Sequence, residues 1–176
     1  MKRRIVTNTL AALGLGSLSF AAEPEAHLLG GNGWVPNHER LPLLLFRQAF
    51  RGGVDACERF IRSSGWQPEW RNGVYPFHHY HSTAHELLGV AGGEARLLLG
   101  GEAPRGLDVT VRAGDLIILP CGTGHCRVSA SGDFLVVGAY ALEQRWDLMR
   151  EAPTAAQRQA MRALPYPKGG LTSLWR

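Results

Sequence analysis

From Trp66 to Ala141 the chain is divided into short apolar segments, separated by Gly, Pro or acidic residues at intervals of roughly 8 to 12 residues. The segments are Val74 to His81, Glu86 to Val90, Glu94 to Leu99, Leu107 to Val111, Asp115 to Leu119, Cys126 to Ser129 and Phe134 to Ala141. This punctuation predicts a mainly β sandwich or barrel. Before it, Leu41 to Phe46 is an apolar run of strand length, read as an edge strand or arm. Gly52 to Ser64 places Val54, Cys57, Phe60 and Ile61 at helical spacing, with Glu58, Arg59 and Arg62 on the other face and Gly65 just beyond. That pattern predicts one amphipathic helix. After the β region, Gln144 to Leu164 has helical composition, and the tail beyond Pro165 reads as irregular.

A chain of 176 residues has room for one core of ordinary size. Residues 23–65 are therefore assigned to an arm and helix packed on a core of residues 66–142, with 143–176 as a C-terminal segment. Residues 1–22 read differently. Lys2, Arg3 and Arg4 precede a small, apolar stretch that ends in Ser19-Phe20-Ala21-Ala22, the pattern of a secretory signal peptide. Arg3-Arg4 also raises twin-arginine export, so a periplasmic or secreted location is expected. Removing these residues would lower the formal net charge from +4 by three, to +1. The remaining arginines are dispersed, without the clustered basic face that nucleic-acid binding requires. No run reaches the roughly 18 apolar residues of a membrane-spanning helix, so no stable membrane insertion is expected.

Five of the seven histidines fall between His78 and His125. His79 and His81 are two apart, so on a strand they share a face, while His78 and Tyr80 point to the other. Glu86 follows across the polar turn Ser82-Thr83-Ala84-His85, close enough for the next strand to return its carboxylate to the pair. His125 comes after Gly114, Pro120 and Gly122, which mark a strand, a turn and a new strand. A His/His/Glu/His set suits a first-row divalent metal. His78 and His85 are the neighbouring histidines, read as support for the ligands or as surface residues. Arg127 and Ser129 share parity with His125 and, with Tyr75, Phe77 and Arg96, are candidates to line a cavity. There Arg127 would hold a substrate carboxylate or form a surface salt bridge. Gly73, Gly93, Gly114 and Gly122 are assigned to turns of positive φ and to strand curvature. Among the three cysteines, Cys121 and Cys126 flank a turn; a bridge between them and buried free thiols both remain open.

Gly73 to Gly93 reads G-x5-H-x-H-x4-E-x6-G and resembles the first cupin motif at all five positions. Gly114 to His125 reads G-x5-P-x-G-x2-H and resembles the second, with Ser129 where the family usually carries Asn. Trp70 to Tyr75, Phe77 to Glu86, Gly138 to Tyr140 and the entry Trp34 to Asn37 with Leu41-Pro42 are similar to the YjlB-type cupins of bacteria. The segment Leu164 to Gly170 departs from the acidic Asp-Pro pattern expected there. The resemblance spans roughly Ala26 to the C-terminus. It implies a single cupin, a double-stranded β-helix or jelly-roll-like barrel with one N-terminal helix and a C-terminal helical or irregular segment. It also implies one divalent first-row metal on His79, His81, Glu86 and His125, Fe or Mn being favoured over Ni, Co or Zn. Four protein ligands leave positions open on an octahedral ion, which points to oxygenase or isomerase chemistry on a small polar molecule. A noncatalytic metal- or ligand-binding or storage cupin of the envelope is the alternative. Homodimerisation through an edge strand near Leu43 is a further expectation.

Overall fold

The computed structural model describes residues 23–168 and 170–175; the leader and its cleavage site lie outside them. Nine strands and two helices follow one another as β1 (Glu25–His27), β2 (Leu43–Phe46), α1 (Gly53–Ser63), β3 (Trp66–Asn72), β4 (Glu86–Gly92), β5 (Glu94–Leu99), β6 (Leu107–Arg112), β7 (Leu116–Leu119), β8 (His125–Ala130), β9 (Leu135–Ala141) and α2 (Ala155–Ala163). A final 3₁₀ segment runs over Gly170–Trp175. All strand pairs are antiparallel. They form a six-stranded sheet in the order β1-β2-β7-β4-β9-β3 and a three-stranded sheet in the order β6-β5-β8. The fold is thus mainly β, with the expected helix before the main body of strands.

The six-stranded sheet is covered on both faces. Leu45, Leu88, Ile117 and Val136 join Leu97, Leu99 and Val111 of the smaller sheet in one apolar cluster. The opposite face, through Leu44, Leu87, Ile118 and Val137, meets Cys57 and Ile61 of α1 together with Leu171 and Trp175. Double coverage explains why β2 and β7 are continuously apolar where a half-exposed strand would alternate. The approach of α1 depends on Gly89 in β4, because a Cβ there would collide with the Cys57 sulfur.

Three segments differ from the sequence expectation. Leu41 to Phe46 is not an edge: β2 pairs with β1 on one side and β7 on the other, so the surface near Leu43 invoked for edge-to-edge dimerisation is filled by the chain itself. A three-residue strand some fifteen residues upstream left no apolar pattern to reveal it. Val74 to His81 is not a ladder strand but an extended crossing segment, tied by the isolated bridges His79–His125 and Tyr80–Met149. The strand just before it is β3, which alternates at the edge of the six-stranded sheet. Finally, Gln144 to Leu164 is helical only over α2, where Thr154 and Gln157 form a capping box. Residues before it run as an extended strap because their backbone and side chains are bound elsewhere: Tyr80 and Met149 exchange N–H···O bonds of 3.1 and 2.9 Å, and the Thr83 hydroxyl donates to Arg145 O at 2.7 Å. Cys57, Cys121 and Cys126 are all free thiols. Of the motif glycines, Gly93, Gly114 and Gly122 have positive φ, whereas Gly73 does not.

Candidate metal centre

The extended segment before β4 carries His79 and His81 and is clamped at both sides. His79 N–H donates to His125 O at 3.3 Å, His125 N–H returns to His79 O at 2.9 Å, and Gly122 N–H donates to His81 O at 2.8 Å. The two-residue period then aims His79 and His81 inward and buries Tyr80 on the far side against Cys121 and Met161. His125 opens β8 on the opposing sheet. The side-chain donor atoms of His79, His81 and His125 lie within 4.8 Å of one another, and all three residues are buried.

The ring orientation is fixed by three backbone carbonyls. The Nδ1 of His79 meets Phe77 O at 3.1 Å, that of His125 meets Thr123 O at 3.1 Å, and that of His81 meets Asp147 O in a very short contact. Carbonyls only accept, so each Nδ1 carries the proton and each Nε2 presents its lone pair. Glu86, on β4, completes the floor. Its Oε1 is 3.4 Å from His81 Nε2 and accepts the Tyr140 hydroxyl at 3.1 Å, and its Oε2 is 3.1 Å from His125 Nε2. Despite that short distance Oε2 receives no hydrogen bond, because the His125 proton sits on the other ring nitrogen. A buried carboxylate oxygen and imidazole lone pairs facing one another without protons repel unless a cation lies among them. The donors present, three neutral imidazoles and one carboxylate, fit a divalent ion.

The electrostatics favour a neutral His79 and a charged Glu86, and bias His81 toward a proton when no cation is bound. Burial pushes the His79 pKa down to about 2, and the neighbouring His125 and His81 add to this. Burial also opposes a proton on His81, but Glu86 and the Asp147 carbonyl outweigh it and raise that pKa. Burial works against the Glu86 charge in turn, yet His81 and His125 hold its carboxyl well below the usual range. A cation entering the site therefore competes with a proton on His81.

The site opens into a cavity of about 460 Å³. Trp70, Tyr140 and Trp146 form one wall, with Tyr140 and Trp146 stacked at 6.1 Å and 18°. Trp70 Nε1–H donates to the Tyr140 hydroxyl at 3.0 Å, so a relay of hydrogen bonds runs from Trp70 through Tyr140 to Glu86. Trp70 reaches this place because it lies across the backbone of Gly138, where a Cβ would fall inside the indole ring.

The remaining sequence candidates separate. Arg127 and Tyr75 line the cavity; Tyr75 stacks on Phe77 at 4.9 Å and meets His79 edge-on. Ser129 and Arg96 do not line it. A bulge in the β5–β8 register at Val128 leaves Ser129 exposed, and Arg96 faces outward to Asp108. His78 turns away with Tyr80 toward Glu102, its Nε2 3.2 Å from Oε1 without hydrogen-bond alignment. His85 is not a surface residue and does not touch the ligands: adjacent to Glu86 on the strand, it points to the opposite face. There it is enclosed by Trp175, Tyr166 and His38, accepts Cys121 N–H at 3.0 Å and reaches Leu164 O at 3.3 Å. Tyr140, Trp70, Trp146 and Asp147 are the site residues that sequence reasoning missed.

No protein-family model matches the chain. It is 34% identical over 131 residues to the uncharacterized protein YjlB of Bacillus subtilis, covering 74% of this chain and 78% of that one. The chain belongs to the YjlB family of cupins. Among solved structures, RmlC of Streptococcus suis in complex with dTDP-D-xylose superposes on this YjlB-family chain with a TM-score of 0.40 and 13% identity, over 85% of this chain and 94% of that one. Procruciferin, an 11S globulin of Brassica napus, gives 0.37 and 19% over 44% of this chain, which spans only 20% of the globulin. At such scores the superpositions add nothing to the assignment, which rests on YjlB and on the motif residues gathered at the site.

Proposed function

We propose that this YjlB-family cupin is a metal-dependent enzyme that acts on a small polar molecule, by oxygenase or isomerase chemistry, with Fe or Mn held by His79, His81, Glu86 and His125. The observation that carries the reading is the set of three Nδ1–H bonds to Phe77, Thr123 and Asp147 carbonyls, which leaves three Nε2 lone pairs and the Glu86 carboxylate converging at the floor of a cavity of ligand size. A bound divalent ion would supply Lewis acidity or dioxygen activation there. The protein's own groups do the rest. Trp70, Tyr140 and Trp146 exclude water from one side. Tyr140 holds Glu86 in place, and the strap residue Asp147 fixes the His81 ring. Export through residues 1–22 belongs to the same proposal.

The test compares purified protein, protein stripped of metal by chelation, and stripped protein reloaded with Fe(II) or Mn(II), against a panel of small polar molecules under air and under argon. Turnover that disappears on stripping and returns on reloading, with circular dichroism unchanged, supports the enzyme. A small molecule retained through purification and seen by native mass spectrometry, with no turnover in any state, would replace it with a ligand-carrying cupin.

A further inference from the structure

Other polar groups that border the cavity already have partners. Arg71 donates from Nε to Glu58 at 2.8 Å, the Asn72 side-chain Oδ1 accepts Gly73 N–H at 2.8 Å, and the Tyr140 hydroxyl is committed to Trp70 and Glu86. Elsewhere the chain pairs arginines readily, Arg47 with Glu25 at 2.8 Å, Arg96 with Asp108 at 2.5 Å and Arg162 with Glu39 at 2.7 Å. Arg127 differs from these. It is half-buried and lines the cavity, and among the described residues its guanidinium makes neither a hydrogen bond nor an ion pair with a carboxylate.

Its position is held by the backbone. Arg127 N–H donates to Tyr75 O at 2.9 Å, and its register partner is the buried Leu97, as that of His125 is the buried Leu99. Arg127 therefore shares the inner face of β8 with His125, roughly 7 Å along the strand. The guanidinium lies beside Gly73, where a Cβ would stand in ordinary van der Waals contact, 3.6 Å from Nη1. A partly desolvated guanidinium with free donors is matched by a planar anion that accepts two parallel hydrogen bonds. The neighbouring walls, Trp70, Val74, Leu88 and Phe134, offer a ligand body only apolar and aromatic surface.

We infer that Arg127 is the anchoring residue for a substrate carboxylate, and that the cavity takes a small monocarboxylate with an apolar body whose other end faces the histidine floor. This rests on the cavity being the substrate site proposed above. Arg71, already engaged by Glu58, is not the anchor.

Binding of phenylacetate and hexanoate, each beside its neutral amide, is measured by calorimetry on the metal-loaded full chain and on Arg127→Gln, Arg127→Lys and Arg71→Gln, with thermal midpoints as the check on folding. The expected result is that at least one acid binds the parent protein more tightly than its amide, and that Arg127→Gln weakens the acid at least about tenfold while leaving the amide unchanged. Arg127→Lys should retain part of the preference and Arg71→Gln all of it. An acid affinity unaltered in folded Arg127→Gln, or no binding of either acid by the parent, overturns the inference. The metal reading is judged separately. Arg127-dependent acid binding in a protein that takes up no metal would sink that reading alone, and stoichiometric metal with acid binding indifferent to Arg127 would sink this one alone.

Discussion

Acidification should unlock the C-terminal segment through His85. This residue is fully buried, its Nδ1 accepts Cys121 N–H and its Nε2–H donates to Leu164 O, so a second proton would set one N–H against another. Burial pushes its pKa from 6.5 down to about 4, with nearby His38 adding to the effect. Between those values the unfolded chain binds the proton and the folded chain does not, so stability falls as pH falls through 6.5 and levels off below about 4. At about 1.4 kcal/mol per pH unit, this group alone costs about 2 kcal/mol at pH 5 and about 3 kcal/mol once both values are passed. The assay is urea unfolding, followed by tryptophan fluorescence, of metal-stripped parent and His85→Gln at pH 7.5 and pH 5. Gln keeps an acceptor and a donor but cannot titrate. The variant should be less stable at pH 7.5 by about 1 to 3 kcal/mol, yet lose about 2 kcal/mol less than the parent on going to pH 5. Equal losses in the two proteins would refute the placement of His85 as a neutral structural clamp, since His38 and the metal-site histidines contribute alike to both.

Three further outcomes follow from the packing. Tyr140→Phe removes the hydroxyl that joins Trp70 to Glu86 and should weaken metal affinity by about 10- to 100-fold in a chelator competition; an unchanged affinity would show the relay to be idle. Gly138→Ala forces Trp70 out of its place and should destabilise the protein by about 1 to 3 kcal/mol in denaturant unfolding, with partial recovery in Gly138→Ala/Trp70→Ala, whereas no loss would mean the indole lies elsewhere. Thiol titration should find three reactive groups in denaturant. In the folded protein Cys126 should react first, because burial pushes Cys57 and Cys121 up to about 12.

The sequence made legible those parts of the site that depend on local parity. His79 and His81 needed only a two-residue period, and Glu86 and His125 followed from the turns and motifs around them. Tyr140 could not be read this way. It stands opposite Glu86 only because β9 pairs with β4, with register Glu86–Tyr140, and nothing within 54 residues of either announces that pairing. Trp146 and Asp147 were hidden for the opposite reason: their segment carries spaced Trp, Leu and Met residues that mimic a helix, while its backbone is bonded to Tyr80 through Met149 and its Asp147 carboxylate accepts Ser82 N–H. For His85, strand parity alone would have separated it from Glu86, had β4 been extended one residue toward the turn. In the fold, the strands from β4 to β9 were visible because turn formers bracket them. β1 and the interior position of β2 were not, since a three-residue strand has no period to detect.

The most direct measurement is the metal content of natively produced, untagged protein beside His79→Ala and Glu86→Gln. The parent should carry about one equivalent of a divalent first-row metal, His79→Ala should carry none, and Glu86→Gln should carry less, all with unchanged circular dichroism. A folded parent that holds no metal and takes up neither Fe(II) nor Mn(II) when offered them would contradict the assignment of this site as a metal centre.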